Sequence, residues 1–356
     1  MKSHIIQRAL AGQFVLIAEI GVNYYDIAAQ RGITLLEAAK LMISEAADAG
    51  VHAVKFQSYK ADTLAAKQSP SYWDTSEEPT LSQYELFAKF DSFGPQEYKE
   101  LSDYCQTQGV EFLSTAFDVA SADYLDKMMA VYKISSSDLN NLPFIRHQAR
   151  KQKPMLLSVG ASNADEIDAA VTAIREVNEQ PLALLHCVLE YPTPYEHANL
   201  NKITSLRLRY PELLCGYSDH TKPDQELWVL KTAYTLGAVI IEKHFTLDKS
   251  LKGNDHYHAM DPDDIRVLLK GVKMIDTLRG SGDLVCLESE QQARANARRS
   301  IVSAVDIFAG TVLTDDLLTF KRPGSGISPV QLSTVVGKRA AVDIPQDTIL
   351  KLDMFC

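Results

Sequence analysis

The chain is poor in several features that would narrow its class at once. No apolar run approaches the roughly 20 residues a membrane-spanning helix needs, so a helical membrane protein is not expected. There is no surplus of cations. The 36 Lys and Arg stand against 46 Asp and Glu, for a net charge of −10. A general nucleic-acid binder is therefore not indicated, because such binding releases phosphate counterions through excess positive charge. A small anionic substrate held by a few local lysines remains compatible with the balance. The five cysteines (Cys105, Cys187, Cys215, Cys286 and Cys356) are odd in number and form no CxxC pair. A reduced, cytoplasmic protein is the simplest expectation. The opening residues MKSHIIQRALAGQF lack the apolar core of a signal peptide. No HExxH motif is present, and no glycine-rich phosphate loop follows the first apolar segment, which runs instead into GVNYYD.

What is present is a repeated pattern. The composition, 46% hydrophobic and 23% charged, is that of a globular protein with a large core. The length suits one large domain plus a small one, or two of middling size. Eight short apolar segments, at 15–21, 53–57, 111–117, 131–136, 155–160, 182–188, 213–218 and 238–245, show little alternation, as parallel strands covered on both faces should. Amphipathic stretches at 34–49, 96–108, 118–129, 164–178, 224–236 and 262–277 lie between them, and cap-type residues at 163–165 and 261–264 precede two of these. Eight strands with intervening helices predict an α/β fold of the (β/α)8 TIM-barrel type, with an open doubly wound sheet as the alternative. After about residue 287 the pattern changes. A polar segment with helical potential at 288–299 reads as a linker, and 300–356 breaks into short β-like pieces. The expected division is a catalytic barrel at 1–287, the linker, and a small mostly-β domain at 300–356, which at that size is expected to pack on a neighbour.

The apolar segments end in chemically capable residues. Glu19 closes the first, with Asn23 just beyond. Burying a carboxylate is costly without a partner, so Glu19 is read as functional, able to orient hydroxyls or relay a proton. AVKFQ supplies Lys55 and Gln57, and YKISSSD supplies Lys133. A strand lysine can snorkel out at a barrel rim, but two of them, joined by the hydroxyls of Thr115, Ser135, Ser136, Ser158 and Ser218, suggest an anion site for a phosphate or phosphoester. GYSDH and VIIEKHF deliver His220 and His244 at the ends of neighbouring strands. Two imidazoles so placed suit a divalent metal with open positions, or a hydrogen-bonded pair without metal. Alternation puts Glu242 and His244 on one face and Lys243 on the other, so Lys243 is read as structural. Asp255 and His256 lie in KGNDHYHAMDPDD, a polar loop after the eighth segment, where substrate-binding loops belong.

Taken together, AEIGVN, AVKFQ, FLSTAFD, YKISSSDLNN, EYPTPY, GYSDHT, VIIEKHFTLD and KRPGSGISP resemble the sialic acid synthase family, which condenses phosphoenolpyruvate with an N-acetylated sugar. The small second domain resembles that family's antifreeze-like, or SAF, module. The resemblance implies a TIM barrel plus SAF module, in a homodimer whose SAF modules cover the partner's active site, and a divalent ion, manganese or magnesium. By motif it makes His220 and His244 metal ligands. It makes Lys55, Thr115, Lys133, Ser136, Ser158 and Ser218 contacts to phosphoenolpyruvate. Glu19, Gln57, Asp138, Tyr191 and Asp255 fall to the sugar, and Arg322 reaches across the dimer to the sugar's acyl group. The implied reaction is metal-assisted attack by C3 of phosphoenolpyruvate on the aldehyde, water addition at C2, and C–O cleavage that expels phosphate, with Glu19 relaying a proton to the new alkoxide. An N-acetylmannosamine-type acceptor is expected, because KISSSDLNNLP resembles the neuraminate enzymes. Legionaminate or pseudaminate synthesis from a 2,4-diacetamido sugar is the alternative. A non-catalytic sugar-acid or phosphate binder and a metal-dependent hydrolase are readings of other classes. The chain departs from the family at Tyr24, Tyr217 and Ala259 and in the GND that replaces GPD, positions expected to border the sugar pocket or its supports. The segment SPSYWDTSEEPTLSQYELF also falls where family members meet the sugar, and its Trp73 reads equally as a packing residue and as a sugar platform.

Overall fold

The computed structural model describes residues 2–253 and 255–356; Asn254, in the GND departure, lies outside them. The chain forms two compact units, Met1–Arg279 and Gly280–Cys356.

In the first unit eight parallel strands close into a barrel in chain order. They are β1 (Val15–Gly21), β2 (Ala53–Ser58), β3 (Glu111–Ala116), β4 (Tyr132–Ile134), β5 (Met155–Ser158), β6 (Leu182–Cys187), β7 (Leu214–Asp219) and β8 (Ile240–His244). Barrel closure excludes the open-sheet alternative. Nearly every strand residue is buried, because one face looks into the barrel and the other meets the surrounding helices. Leu16, Ala18, Val54, Phe56, Phe112, Tyr132, Leu157, Leu184 and Ile241 belong to the outer, helix-facing core. Val15, Ile17, Ala53, Leu113, Val131, Leu156, Ala183, Leu185 and Ile240 form a separate inner core.

The inner core is sealed at its lower end by a helix that periodicity did not reveal, His4–Leu10. Its seven residues are too few to show a helical repeat, yet Ile5, Ile6 and Ala9 pack into the barrel. Ser3 caps it by accepting the Ile6 N–H at 3.2 Å. Glu111, the first residue of β3, accepts the N–H groups of His4 and Ile5 at 2.8 and 3.0 Å, a carboxylate at the positive end of a helix. Two crossover helices also lay below the sequence signal. Leu142–Ala149 is short and opens on Pro143, and Asn201–Arg209 buries only Ile203 and Leu206. The expected 224–236 helix starts later, at Trp228, after a turn in which Leu227 takes a positive φ of 53°.

Gly216 marks the middle of the barrel interior. A Cβ there would lie 2.2 Å from Leu185 Cδ2 and 2.5 Å from the Ile240 carbonyl oxygen, so the approach of β6 and β8 to β7 needs glycine.

In the second unit β9 (Ser300–Ser303) pairs antiparallel with β10 (Leu318–Lys321). Isolated bridges link residues 302 to 349, 307 to 344, 312 to 339 and 340 to 355. Ile301, Ile307, Leu313, Val335, Ile344 and Leu350 form its small core, and the polar 288–299 segment contains the helix Gln291–Ala297.

Candidate active site

Period-two alternation decides what the barrel interior contains. The inward face of β1 reads Val15, Ile17, Glu19; that of β2 reads Ala53, Lys55, Gln57; that of β3 continues from Leu113 to Thr115. Val131 gives way to Lys133, Leu156 to Ser158, Leu185 to Cys187, Gly216 to Ser218, and Ile240 to Glu242 and His244. Register holds this polar layer level: Glu19 is opposite both Lys55 and His244, Thr115 opposite Lys133, Cys187 opposite Ser218 and Ser218 opposite Glu242. The result is an inner cavity of about 60 Å³ at the C-terminal mouth.

All six residues expected to hold phosphoenolpyruvate line this cavity, as does Glu19. Lys55 Nζ donates to Thr115 Oγ1 at 2.9 Å and lies 2.6 Å from Glu19 Oε2. Glu242 sits between the lysines, 3.7 Å from each, and accepts from Ser218 Oγ at 3.1 Å. Glu242 belongs to the site, although the sequence reading credited it only with its face. Ser136 Oγ accepts the Gly160 N–H at 2.8 Å.

Burial and the charge arrangement set the protonation states. Burial pushes the Glu19 carboxyl up to about 7 against the pull of Lys55. Burial also acts to raise Glu242, but Lys133 and Lys55 overcome it and hold its pKa below the usual value. Lys55 is disfavoured by burial yet held above its ordinary value by Glu19 and Glu242, whereas burial lowers Lys133. One carboxyl can thus carry a proton near neutral pH while its neighbour stays ionised.

Beside this cavity three imidazoles converge. The His220 and His244 ring centroids are 5.5 Å apart, and His258 lies 5.0 Å from His244 and 6.1 Å from His220. Asp255 Oδ2 is 3.3 Å from His244 Nδ1 without hydrogen-bond geometry, and its Oδ1 is 3.7 Å from His258 Nε2. Among the described residues, His244, Asp255 and His258 are close enough to share one ion. His258 was not anticipated; its only sequence signal is a place three residues after Asp255 in a loop with no periodicity. His220 stands alongside, its Nδ1 2.7 Å from the Val188 carbonyl, which leaves the other ring nitrogen as its ligand atom. Burial lowers the pKa of all three histidines, His220 to about 4. His244 Nδ1 and both ring nitrogens of His258 are buried without a hydrogen-bond partner in the protein. Buried polar atoms are normally paired. Neutral imidazoles with bare nitrogens beside a carboxylate fit a divalent cation.

An outer cavity of about 530 Å³ opens onto the inner one, and Gln57, Tyr191 and His244 line both. Asp138 and Asp255 line the outer cavity, and burial raises their carboxyls to about 6 and about 7. Tyr72, Trp73, Glu78, Gln83, Leu86 and Phe87 bring the segment SPSYWDTSEEPTLSQYELF into its lining. Trp73 lines it with its Nε1 donating to the Glu78 carbonyl at 3.0 Å, so it both packs and faces the cavity. Tyr24, Tyr217 and Ala259 do not line either cavity. Tyr24 stacks on Phe93 at 4.8 Å. Tyr217 donates to Asp219 Oδ1 at 2.8 Å, and Asp219 in turn pairs with the fully buried Lys243. Tyr24 and Tyr217 are supports, and Lys243, paired with Asp219, is structural as alternation led one to expect. His256, also fully buried, bridges Thr246 Oγ1 at 2.7 Å and Asp26 at 3.1 Å, anchoring the loop that carries Asp255 and His258. Arg322 lies in the second unit and is exposed.

The profile of the NeuB family matches residues 42–284, and that of the SAF domain matches 298–355. The chain is 34% identical over 342 residues to the N,N'-diacetyllegionaminic acid synthase of Legionella pneumophila, covering 94% of this chain and 92% of that one. It is 29% identical over 334 residues to the N-acetylneuraminate-9-phosphate synthase of Mus musculus, covering 93% and 90%. The crystal structure of the N-acetylneuraminic acid (sialic acid) synthetase of Leptospira borgpetersenii, in complex with citrate, superposes with a TM-score of 0.67 at 32% identity, over 79% of this chain and 90% of that one. Among the described residues no helix is long and apolar enough to cross a membrane.

Proposed function

The chain belongs to the NeuB family, and from that premise we propose that it condenses phosphoenolpyruvate with an N-acetylated amino sugar to give a nonulosonic acid of the sialic acid type and phosphate. The observation that carries this reading is the continuity of a two-lysine anion cavity with an imidazole–carboxylate cluster and a sugar-sized outer cavity, all in one barrel mouth. Sites at this end of the barrel are where the fold does its chemistry.

Lys55 and Lys133 neutralise the carboxylate and phosphate of phosphoenolpyruvate, and Thr115, Ser136, Ser158 and Ser218 add directed hydrogen bonds. Gln57, Asp138, Tyr191 and Asp255 orient the sugar. The π pair of the enol ester forms the new bond from C3 to the aldehyde carbon. Water adds to C2 with loss of a proton, and cleavage of the C2–O bond releases phosphate. Glu19, poised near 7 by burial, gives its proton to the new alkoxide, while Gln57, which donates to Glu19 Oε1 at 3.0 Å, fixes the carboxyl's orientation. His220, His244, Asp255 and His258 would hold a divalent cation, manganese or magnesium, which when bound supplies Lewis acidity toward the sugar's carbonyl oxygen.

The proposal extends to the assembly: a cytoplasmic homodimer, with the barrel at 1–287, the linker at 288–299 and the SAF module at 300–356 lying over the partner's mouth. Arg322 of the partner subunit would then reach the sugar's acyl group. A 2,4-diacetamido acceptor is the second reading, favoured by the 34% identity to a diacetyllegionaminate enzyme over nearly the whole chain.

Phosphate release from phosphoenolpyruvate, measured with and without amino sugar in the presence of manganese, tests the reaction. Release that depends on the sugar is expected. Release without sugar would mark a hydrolase, and binding of sugar or phosphate without release would mark a binding protein.

A further inference from the structure

The mouth contains one more imidazole than the sequence motifs account for. His220 and His244 follow from β7 and β8, where the resemblance places the metal ligands. His258 comes from the loop after β8, and its side chain is fully buried. Both of its ring nitrogens lack a hydrogen-bond partner in the protein, although Asp255 Oδ1 is 3.7 Å from Nε2. Leaving two buried nitrogens bare is costly, so the ring is made for a partner that is not a protein group.

The loop holds the ring in place. Phe245 and Met260 form a parallel bridge. The Met260 N–H donates to the His244 carbonyl at 2.8 Å, and the Thr246 N–H to the Met260 carbonyl at 3.0 Å. His256 is tied to Thr246 and Asp26, and Tyr257 Oη donates to the Tyr191 carbonyl at 3.1 Å. The chain is therefore fixed on both sides of His258. The ring itself meets Tyr257 at 4.8 Å and Tyr191 at 5.8 Å, both edge-on. In this position one nitrogen from His258, one from His244 and one Asp255 oxygen fall within 4.8 Å of one another. A ligand set locked by packing and hydrogen bonds is preorganised for its ion.

The donor atoms decide which ion that is. Among the described residues, the group able to share an ion offers two imidazoles and one carboxylate, and His220 adds a third imidazole beside them. The other carboxylates of the inner cavity are engaged by lysines. Glu19 lies 2.6 Å from Lys55, and Glu242 lies 3.7 Å from both Lys55 and Lys133. Magnesium demands oxygen ligands in octahedral array and gives up its waters reluctantly. Three nitrogens among four donors suit a first-row transition ion instead, with affinity rising from manganese toward cobalt and beyond.

On the condensation reading above, whose metal centre these residues form, we propose that His258 is a third imidazole ligand and the residue that makes the centre select a transition ion over magnesium. The two motif histidines alone leave that choice open. The ring from the loop closes it, and the pair of ions named above narrows to manganese and its later neighbours.

Metal binding tests this apart from catalysis. Full-length protein is freed of metal with a chelator, and Co2+, Mn2+ or Mg2+ is titrated in by calorimetry without phosphoenolpyruvate or sugar. Wild type is expected to bind one equivalent of Co2+ more tightly than Mn2+, with no saturation by Mg2+ over the range in which the other two saturate. Mg2+ binding as tight as that of Mn2+ overturns the inference. His258→Gln stays polar but offers an oxygen in place of a nitrogen. It is expected to weaken Co2+ binding about 100-fold, because losing even an outer partner of a ligand costs about 10–100-fold. Mn2+ should lose less, so the ratio of the two affinities falls, and the visible absorption of bound Co2+ should change. An unchanged ratio and spectrum in the folded variant would reduce His258 to a support of the loop and overturn the inference. Should that variant fail to fold, X-ray absorption of the wild-type Co2+ form counts the coordinated imidazoles directly. Three are expected, and two or fewer remove His258 from the centre. Phosphate release is read separately. Its absence with every amino sugar would sink the condensation reading while the titrations still decide the centre, and sugar-dependent release by a protein with a two-imidazole centre would sink this inference alone.

Discussion

The two ends of the barrel are made from the same strands and do opposite work. At the lower end Val15, Ile17, Leu113, Leu156 and Ile240 close on Ile5, Ile6 and Ala9 of a short helix. At the mouth the next inward residues are Glu19, Thr115, Ser158, Glu242 and His244. The lower end gains by removing apolar surface from water, at about 25 cal/mol per Å². At the mouth Ser158 Oγ, Glu242 Oε2, His244 Nδ1 and the His258 ring nitrogens are buried without protein partners, at a cost of about 1–3 kcal/mol for each unmade bond. The lesson of the contrast is that one end carries the stability with which the other is kept ready for ligands, a division expected where function and stability pull apart.

Substitutions at the two ends should therefore have opposite signatures. The largest effect is expected from His244→Ala. Metal-dependent turnover should fall about 10³-fold or more, since Lewis-acid stabilisation is worth several kcal/mol, while the melting temperature stays level or rises because an unsatisfied buried nitrogen is gone. Wild-type phosphate release by this variant would end the metal assignment. At the other end Ile17→Ala should cost about 3 kcal/mol of stability through a buried cavity, with kcat of the folded fraction unchanged. A loss of kcat without a shift in the urea midpoint would erase the distinction between the ends.

How much of this contrast could be read from the sequence depended on position. Glu19, Lys55, Lys133 and His244 stood out because each lies at the end of an apolar segment, and period-two alternation set the face of His244 against that of Lys243. The closed barrel followed from eight such runs. His258 was hidden because loops have no period, and Glu242 received its face from alternation but not its role, because the lysines it meets, Lys55 and Lys133, come from β2 and β4. The outer wall at Tyr72, Trp73, Glu78, Leu86 and Phe87 comes from a long connection whose path no local pattern fixes. The plug helix His4–Leu10 owes its structure to tertiary packing more than to its own propensity.

A titration separates the ends in another way. His52, near the lower end, accepts the Leu16 N–H at 3.0 Å, and burial, aided by Arg8, depresses its pKa to about 4 from an ordinary 6.5. The folded state then binds this proton less readily than the unfolded chain. Its contribution is fully present above about pH 6.5 and is lost as pH falls toward about 4. Allowing for its partial exposure, the loss is about 2 kcal/mol. Urea unfolding of wild type and His52→Gln between pH 7 and 4 measures it. Parallel pH profiles for the two proteins would refute the assignment.

The smallest expected effect tests the comparison most sharply, because it lies on a strand that serves both ends. Glu111 and Thr115 share the inward face of β3. Glu111 holds the first two N–H groups of the plug helix, and Thr115 receives a hydrogen bond from Lys55 at the mouth. Glu111→Gln keeps an oxygen that can accept but removes the charge at the helix N-terminus. The expected cost is about 0.5–1 kcal/mol, read as a small drop in urea midpoint that salt diminishes. Neither kcat nor the KM for phosphoenolpyruvate should move, although Thr115 is only four residues away along the same strand. If Glu111→Gln did change the KM, the barrel would be transmitting strain along β3, and its ends would have to be treated as one coupled structure.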